Sequence, residues 1–315
     1  MRGDSIASVL MASWLGACVQ AQGETKSVDS AGDSATDTGD TSPGTGWTAV
    51  EADAAREACG LTADGQVLCW GERPQEEAPP AAGGWTQLSL FGKVGCVGDV
   101  VGVVECWWNQ HNDGADQHLR QPPDEPLHKI SVGAWLACGF NDDAELSCWG
   151  EQSDDWTPPE GSWKAVDVGG DVACAIGVGG GLECWGFKTY HDHSVNYASV
   201  SSGFDHFVAL DERGVAHCVA GGYLDTCDVP DGVHFRMVDA GNEATCGITT
   251  DGDLLCWASQ SGWYESFDVG PKGLEPGPWV DVAVGGAGAC AVRETGEMVC
   301  FVGEGGYLSN IPDPG

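Results

Sequence analysis

Apolar and polar residues alternate in short runs that return seven times along the chain. In "CGLTADGQVLCWG" (59–71), Cys59, Leu61, Val67 and Cys69 fall on one side of a period-two pattern, separated by the polar stretch around Asp64-Gly65. Such alternation predicts β-strands with one face packed inward. Pairing Cys59 with Cys69 across a hairpin also pairs Leu61 with Val67 and Thr62 with Gln66, which leaves Ala63-Asp64-Gly65 as a three-residue loop. A loop of that length wants a left-handed residue at its last position, and Gly supplies it without steric cost. In the same register 59 and 69 form a non-hydrogen-bonded pair, where facing side chains come closest and a disulfide fits.

The unit recurs at Cys96, Cys138, Cys174, Cys246 and Cys290, and a seventh copy has Val208 where the first Cys should be. Successive copies are 34 to 44 residues apart, a period that signals a propeller or solenoid. Gly stands six residues after the first-Cys position in every copy except the third, which has Ala144. Ten to twelve residues before that position comes an aromatic, with Val or Leu three further on: "WTAV" at 47, "WTQL" at 85, "WKAV" at 163, "YASV" at 197, "FRMV" at 235 and "WVDV" at 279. The third copy reads "HKIS" at 128 instead. Each unit is therefore strand, loop, strand, tight turn and strand, followed by a Pro-rich connection.

Seven such sheets bury their apolar faces against one another most simply in an all-β, seven-bladed β-propeller with three- to four-stranded blades. The chain stops at "IPDPG" (311–315), the type of stretch that elsewhere leads into the aromatic strand, as in "LEPGPW" before Trp279. The expectation is a ring closed by the N- and C-terminal strands in one blade. A linear solenoid would need atypical capping repeats, and none is evident.

The aromatic strand, the "DG-x-L-x-C-W-G" hairpin and the Gly before Cys in "AGNEATCGI" (240–248) resemble the regulator of chromosome condensation repeat, in its short, cysteine-bearing, secreted bacterial form. The resemblance covers 47–315 and implies a seven-bladed propeller, similar in architecture to propeller-type β-lactamase inhibitor proteins. Family members differ in partner, so a shared propeller does not carry over a shared activity. Guanine-nucleotide exchange, the activity of the eukaryotic founder at chromatin, does not suit an acidic, exported chain.

Cysteine arithmetic agrees with the hairpin register. Of the 15 Cys, the repeat places Cys59–Cys69, Cys96–Cys106, Cys138–Cys148, Cys174–Cys184, Cys246–Cys256 and Cys290–Cys300, and Cys218, lacking its partner, is paired with Cys227 nine residues on. Only Cys18 is left over. It follows an apolar run, "IASVLMASWLGAC" (6–18), too short to span a bilayer and shaped like a signal peptide. Leu15-Gly16-Ala17-Cys18 resembles a bacterial lipobox, which makes 1–17 a signal peptide and Cys18 the lipidated first residue; the alternative is ordinary cleavage near Ala21. Residues 19–46 hold Ser, Thr, Asp and Gly with almost no large apolar side chain, so 18–46 reads as a lipidated, disordered tether. Such a tether would span roughly 30 Å, and the propeller occupies 47–315. The expected setting is the bacterial cell envelope or outside the cell, with membrane contact only through the lipid and the domain a monomer.

Formal charge is −35, most of it beyond residue 46. Nucleic acid is excluded as a partner, because its recognition rests on Lys and Arg neutralising phosphates. No catalytic motif is present: there is no G-x-S-x-G, no H-E-x-x-H and no nucleotide fingerprint. C-x9-C lacks zinc spacing, and His191-Asp192-His193 and "HNDGADQH" (111–118) fall short of a ligand set. No catalytic, metal or cofactor residue is therefore assigned; only Ca²⁺ is compatible with so acidic a surface.

Binding has more support. Of 14 Trp, those at 47, 85, 163 and 279 open strands, and those at 70, 107, 149, 185 and 257 follow the second Cys. Trp108, Trp135, Trp156 and Trp263 stand outside the repeat, in connections that emerge opposite the Gly turns; Tyr190, Tyr223 and Tyr264 join them in the longer connections. Loop aromatics gathered on one face suit a protein or glycan ligand; equally, each could cover the outer edge of a blade. A protein partner is the expectation, and the alternatives are a lectin-like, carbohydrate-binding module and a hydrolase whose site is unmarked.

Overall fold

The computed structural model describes residues 46–314 apart from 53–56, 72–78, 82, 93, 109–117, 120, 152–153, 205, 221–226, 243, 259–272, 287, 303–307 and 309. Cys18, Trp263, Tyr223, Tyr264, the proposed signal and the tether lie outside the described residues. Among the described residues no helix is long and apolar enough to cross a membrane.

Seven antiparallel sheets follow one another along the chain. The first is β1 (Trp47–Ala52), β2 (Glu57–Thr62) and β3 (Val67–Gly71); the second β4 (Trp85–Phe91), β5 (Val94–Asp99) and β6 (Val104–Trp108). The third is β7 (His128–Val132), β8 (Leu136–Phe140) and β9 (Leu146–Gly150). The fourth adds an outer strand: β10 (Trp163–Val168), β11 (Val172–Gly177), β12 (Leu182–Gly186) and β13 (Tyr190–Asp192). The fifth is β14 (Tyr197–Ser202), β15 (His206–Asp211) and β16 (Ala216–Ala220). The sixth is β17 (Phe235–Ala240), β18 (Ala244–Thr249), β19 (Leu254–Ala258) and β20 (Leu274–Glu275); the seventh is β21 (Trp279–Val284), β22 (Gly288–Arg293) and β23 (Met298–Val302). The architecture is a seven-bladed propeller.

The hairpin register is the one the alternation implies. Cys59 faces Cys69 and Leu61 faces Val67, and the five other full copies repeat it. Bonded pairs across these ladders have Cα atoms 4.0–4.1 Å apart. In the fifth blade Val208 faces Cys218 across the ladder, and Cys218 bonds Cys227 in the following connection at a Cα separation of 5.3 Å. The turn glycine is left-handed, as at Gly65 with φ 79°; Ala144 adopts the same conformation, φ 60°, despite its Cβ.

Apolar burial lies between blades. Cys59, Leu61 and Val67 of the first blade pack with Trp85, Val97 and Trp107 of the second. The same contact closes the ring: Cys290, Val292 and Met298 of the seventh blade pack with Trp47, Val50 and Trp70 of the first. A backbone link accompanies it, because in six blades, all but the third, the turn-glycine carbonyl accepts from the N–H that opens the next innermost strand. Gly65 accepts from Trp85, Gly102 from Leu127, Gly180 from Tyr197, Gly214 from Phe235 and Gly252 from Trp279; Gly296 accepts from Trp47 at 3.0 Å. β1 forms its ladder with β2, in a sheet separate from β21–β23, so the ends meet through this link and side-chain packing. The buried Leu308 carbonyl adds a hydrogen bond from Trp70 Nε1, 3.1 Å. These links also correct the register of the third copy. The opening position there is Leu127, fully buried, and not His128; a branched apolar side chain fills the aromatic slot.

Candidate binding face

An innermost strand has a free edge toward the propeller axis, and its unpaired N–H groups need acceptors. Counting from the opening residue of each innermost strand, the fifth position supplies them to the next blade. Ser89 Oγ accepts from Val132 N–H at 3.0 Å, Ser131 Oγ from Val168 at 2.9 Å and Ser201 Oγ from Ala240 at 2.9 Å. Asp167 Oδ2 accepts from Ser202 N–H and Asp239 Oδ2 from Val284, each at 2.6 Å, and Glu51 accepts from Leu90. The seventh blade has Ala283 at this position, and the acceptor shifts by one pleat: Asp281 Oδ2 takes Val50 N–H at 2.9 Å. Ser131 and Ser201 also donate to Asp167 Oδ1 and Asp239 Oδ1, 2.8 and 3.2 Å.

The result is a polar belt around a narrow channel that runs through all seven junctions. Burial pushes Asp167 up to about 6 and Asp239 and Asp281 up to about 7. Burial also raises Glu51 well above the usual carboxylate range, helped by the charges of Asp239, Asp281 and Asp167. Both oxygens of Asp167 and of Asp239 are occupied by donors of the scaffold, so these groups hold blades together and are not poised as an acid–base pair. Among the described residues no group of three or more His, Cys, Asp or Glu side chains is disposed to hold a metal ion. His193 pairs with Glu183 at 2.7 Å, and Asp192 accepts from Ser194 and from the Tyr197 hydroxyl.

Just beyond the belt, on the face opposite the Gly turns, successive blades are latched through backbone. Ala134 N–H donates to Gly169 O at 3.1 Å, Gly170 to Gly203 at 3.0 Å and Phe204 to Gly241 at 3.2 Å. A Cβ at Gly203 would lie 2.1 Å from Gly241 O, so only glycine permits this approach. The latched loops carry aromatics. Trp135 is 41% exposed and Phe204 46%, and Phe187, which follows β12, is 57% exposed. Asp171 ties the last two together, donating its N–H to Phe204 O and accepting from Phe187 N–H, both at 3.0 Å. Trp135 and Phe187 meet edge to face with centroids 5.8 Å apart, and Phe204 lines the channel mouth beside Asp167, Asp239 and Glu51. The mouth encloses a cavity of about 60 Å³.

Sequence reasoning located one member of this arc and missed two. Trp135 is where its connection implies. Trp156 is not on the face: it ends a short 3₁₀ turn (Asp154–Trp156), is 1% exposed, and packs with Trp185 and Val168 beneath Phe187. Its place is a plug against the next blade, a role that Leu119 plays against Trp149 and Leu308 against Trp70. Tyr190 is half-buried in β13 against Phe207, and Trp108 ends β6 with its side chain outside the described residues. Phe187 and Phe204 lack the Trp or Tyr identity that marks the other loop aromatics in the sequence. The signal was available, since each directly follows a Gly at the loop end of its blade.

No family model matches the chain, and no curated protein matches it. Solved structures do match in fold. The ectodomain of the Physcomitrella patens receptor kinase CR4 superposes with a TM-score of 0.64 at 19% identity, over 82% of this chain and 74% of that one. Yeast RCC1 (Prp20), solved with Kap60 bound to it, gives 0.56 at 14% identity over 82% and 80%. The Saccharomyces cerevisiae Prp20p structure, described with its binding to Gsp1p and histones, gives 0.54 at 14% over 69% and 71%. The fold is thus that of an RCC1-like propeller.

Proposed function

We propose that this protein is a non-enzymatic propeller that binds a protein partner through its loop face. The observation that carries the reading is the arc of Trp135, Phe187 and Phe204, three large exposed rings, with Trp135 edge to face on Phe187, Phe187 joined to Phe204 through the Asp171 backbone, and Phe204 at the channel mouth. Exposed aromatics on a rigid frame are what protein interfaces use as anchors. The matched Prp20 structures are described with protein partners, Kap60, Gsp1p and histones, which is in keeping with a propeller used as a platform. A glycan reading has less support, because two of the three rings are Phe and bring no polar group. We further propose that the domain works in an oxidising compartment, where seven disulfides persist, and that it is tethered there through a lipidated Cys18.

The test is capture from the cell envelope with the full chain as bait, read by quantitative mass spectrometry, for wild type and the triple variant Trp135→Ala/Phe187→Ala/Phe204→Ala. Specific partners are expected to be lost from the variant; undiminished capture would sink the loop-face reading. Mass spectrometry of the mature N-terminus is expected to find an acylated Cys18, and an unmodified start near Gln22 would reject the anchor.

A further inference from the structure

We infer that the segment bound by this arc is basic, and that Arg or Lys side chains of the partner lie against Trp135, Phe187 and Phe204. The inference rests on the loop-face reading and adds the chemistry of the occupant.

Among the described residues, positive charge is concentrated at the turn end of the propeller. Six Lys and Arg residues fall among the described ones. Lys129, Lys164 and Arg236 stand within two residues of an opening position, and Arg213 and Arg293 stand in or beside hairpin turns, so five of the six belong to the turn end. Lys188 is alone at the loop end among the described residues and pairs with Asp171 at 3.9 Å. Arg56, Arg73, Lys93, Arg120 and Lys272 fall outside the described residues. The arc is bordered by acid on its solvent side: Asp171 lies between Phe204 and Phe187, Glu151 donates its N–H to Trp135 O at 2.7 Å, and Asp155 stands exposed in the 3₁₀ turn whose Trp156 packs on Phe187.

Apolar rings bordered by carboxylates select among partners. An acidic segment is repelled, and a wholly apolar one would strip water from the carboxylates with nothing in return. A basic segment satisfies both: aliphatic stems cover the rings while cationic heads meet ring faces and carboxylates. The chain already makes this contact internally, with the Arg293 guanidinium 3.9 Å from the centroid of Trp279. Arg is the better fit, because its planar, weakly hydrated head stacks on aromatics.

The probe is a twelve-residue peptide of alternating Arg and Leu, with a Glu–Leu peptide of the same length as control, titrated by calorimetry into the full chain. The Arg–Leu peptide is expected to bind and to weaken as NaCl is raised; the Glu–Leu peptide is expected not to bind. The triple alanine variant should weaken Arg–Leu binding at least about tenfold. Val100→Ala/Val101→Ala, at exposed positions of a hairpin turn, should leave it unchanged. This control separates the arc from general attraction to an acidic chain. Phe204→Lys, which keeps a long side chain but adds positive charge, should weaken binding more than Phe204→Ala. Equal binding by wild type and the triple variant, or binding of the Glu–Leu peptide, would overturn the inference. If envelope capture depends on the arc and the Arg–Leu peptide does not bind, the loop-face reading stands and the basic partner falls.

Discussion

The two ends of the propeller solve the same problem, satisfying backbone groups where strands reverse, by opposite means. At the turn end the solution is local. In five of the seven blades the residue three after the first-Cys position turns a side-chain oxygen onto N–H groups of its own turn, Thr62 and Thr249 through a hydroxyl. Asp99 Oδ1 takes Val101 and Val103, Asn141 Oδ1 takes Asp143 and Glu145, and Asp211 Oδ1 takes Arg213 and Val215. Asn141 anchors the one turn that lacks glycine, where Ala144 is held left-handed. At the loop end the acceptor belongs to a different blade, as when Asp239 takes the N–H of Val284, 45 residues away. A side-chain acceptor in a turn acts within one blade, whereas a loop-end acceptor acts at a junction between two.

The sharpest break in this comparison comes from Gly203→Val at the loop end. A Cβ there meets Gly241 O and cannot relax without parting two blades, so a loss of about 3 kcal/mol is expected in chemical denaturation. A cost below that of an ordinary surface substitution would show that the latch is dispensable. Removing one hairpin staple, as in Cys174→Ala with Cys184→Ala, should cost roughly 2–3 kcal/mol from its short closed loop. It should leave the other blades' hydrogen exchange unchanged, whereas Gly203→Val should raise exchange in both adjoining blades.

The belt offers a pH test of intermediate size. Asp167, Asp239 and Asp281 rise from ordinary values near 4 to about 6, 7 and 7, so the native state holds more protons than the unfolded chain across this window. Their contribution is full below pH 4 and is lost as pH rises through 6 to 7. Thermal stability should therefore fall between pH 4 and pH 8. Asp239→Asn, which keeps an acceptor for Val284 but removes the charge, should flatten the profile and raise the melting temperature at pH 8. A profile unchanged by this substitution would mean that the belt does not set the slope. The smallest effect belongs to the turn end: Ala144→Gly removes a left-handed Cβ and should stabilise by about 0.5–1 kcal/mol.

Legibility followed the range of the interaction. Gly65, Thr62 and the pair Cys59–Cys69 act within a dozen residues, and counting alone recovers their turn, ladder and bridge. Cys218–Cys227 was also within reach, because losing one partner at Val208 leaves a short list of replacements. Trp156 shows the limit. As a lone loop tryptophan it has the appearance of a ligand anchor, and only packing under Phe187 and against Trp185 reveals a plug equivalent to Leu119 and Leu308. Ser89, Ser131 and Asp167 share a position in the repeat, but their role depends on a neighbour's N–H that no local pattern announces.

By itself the sequence determined the repeat, its hairpins, its staples and the count of seven, because each follows from alternation, turn chemistry and spacing inside one unit. Only the tertiary structure decided how the ring closes, which carboxylates become a buried belt, and which rings remain exposed. Those depend on what a blade meets in its neighbour: Gly296 finding Trp47, Asp281 finding Val50, and Phe204 left 46% exposed at the channel mouth.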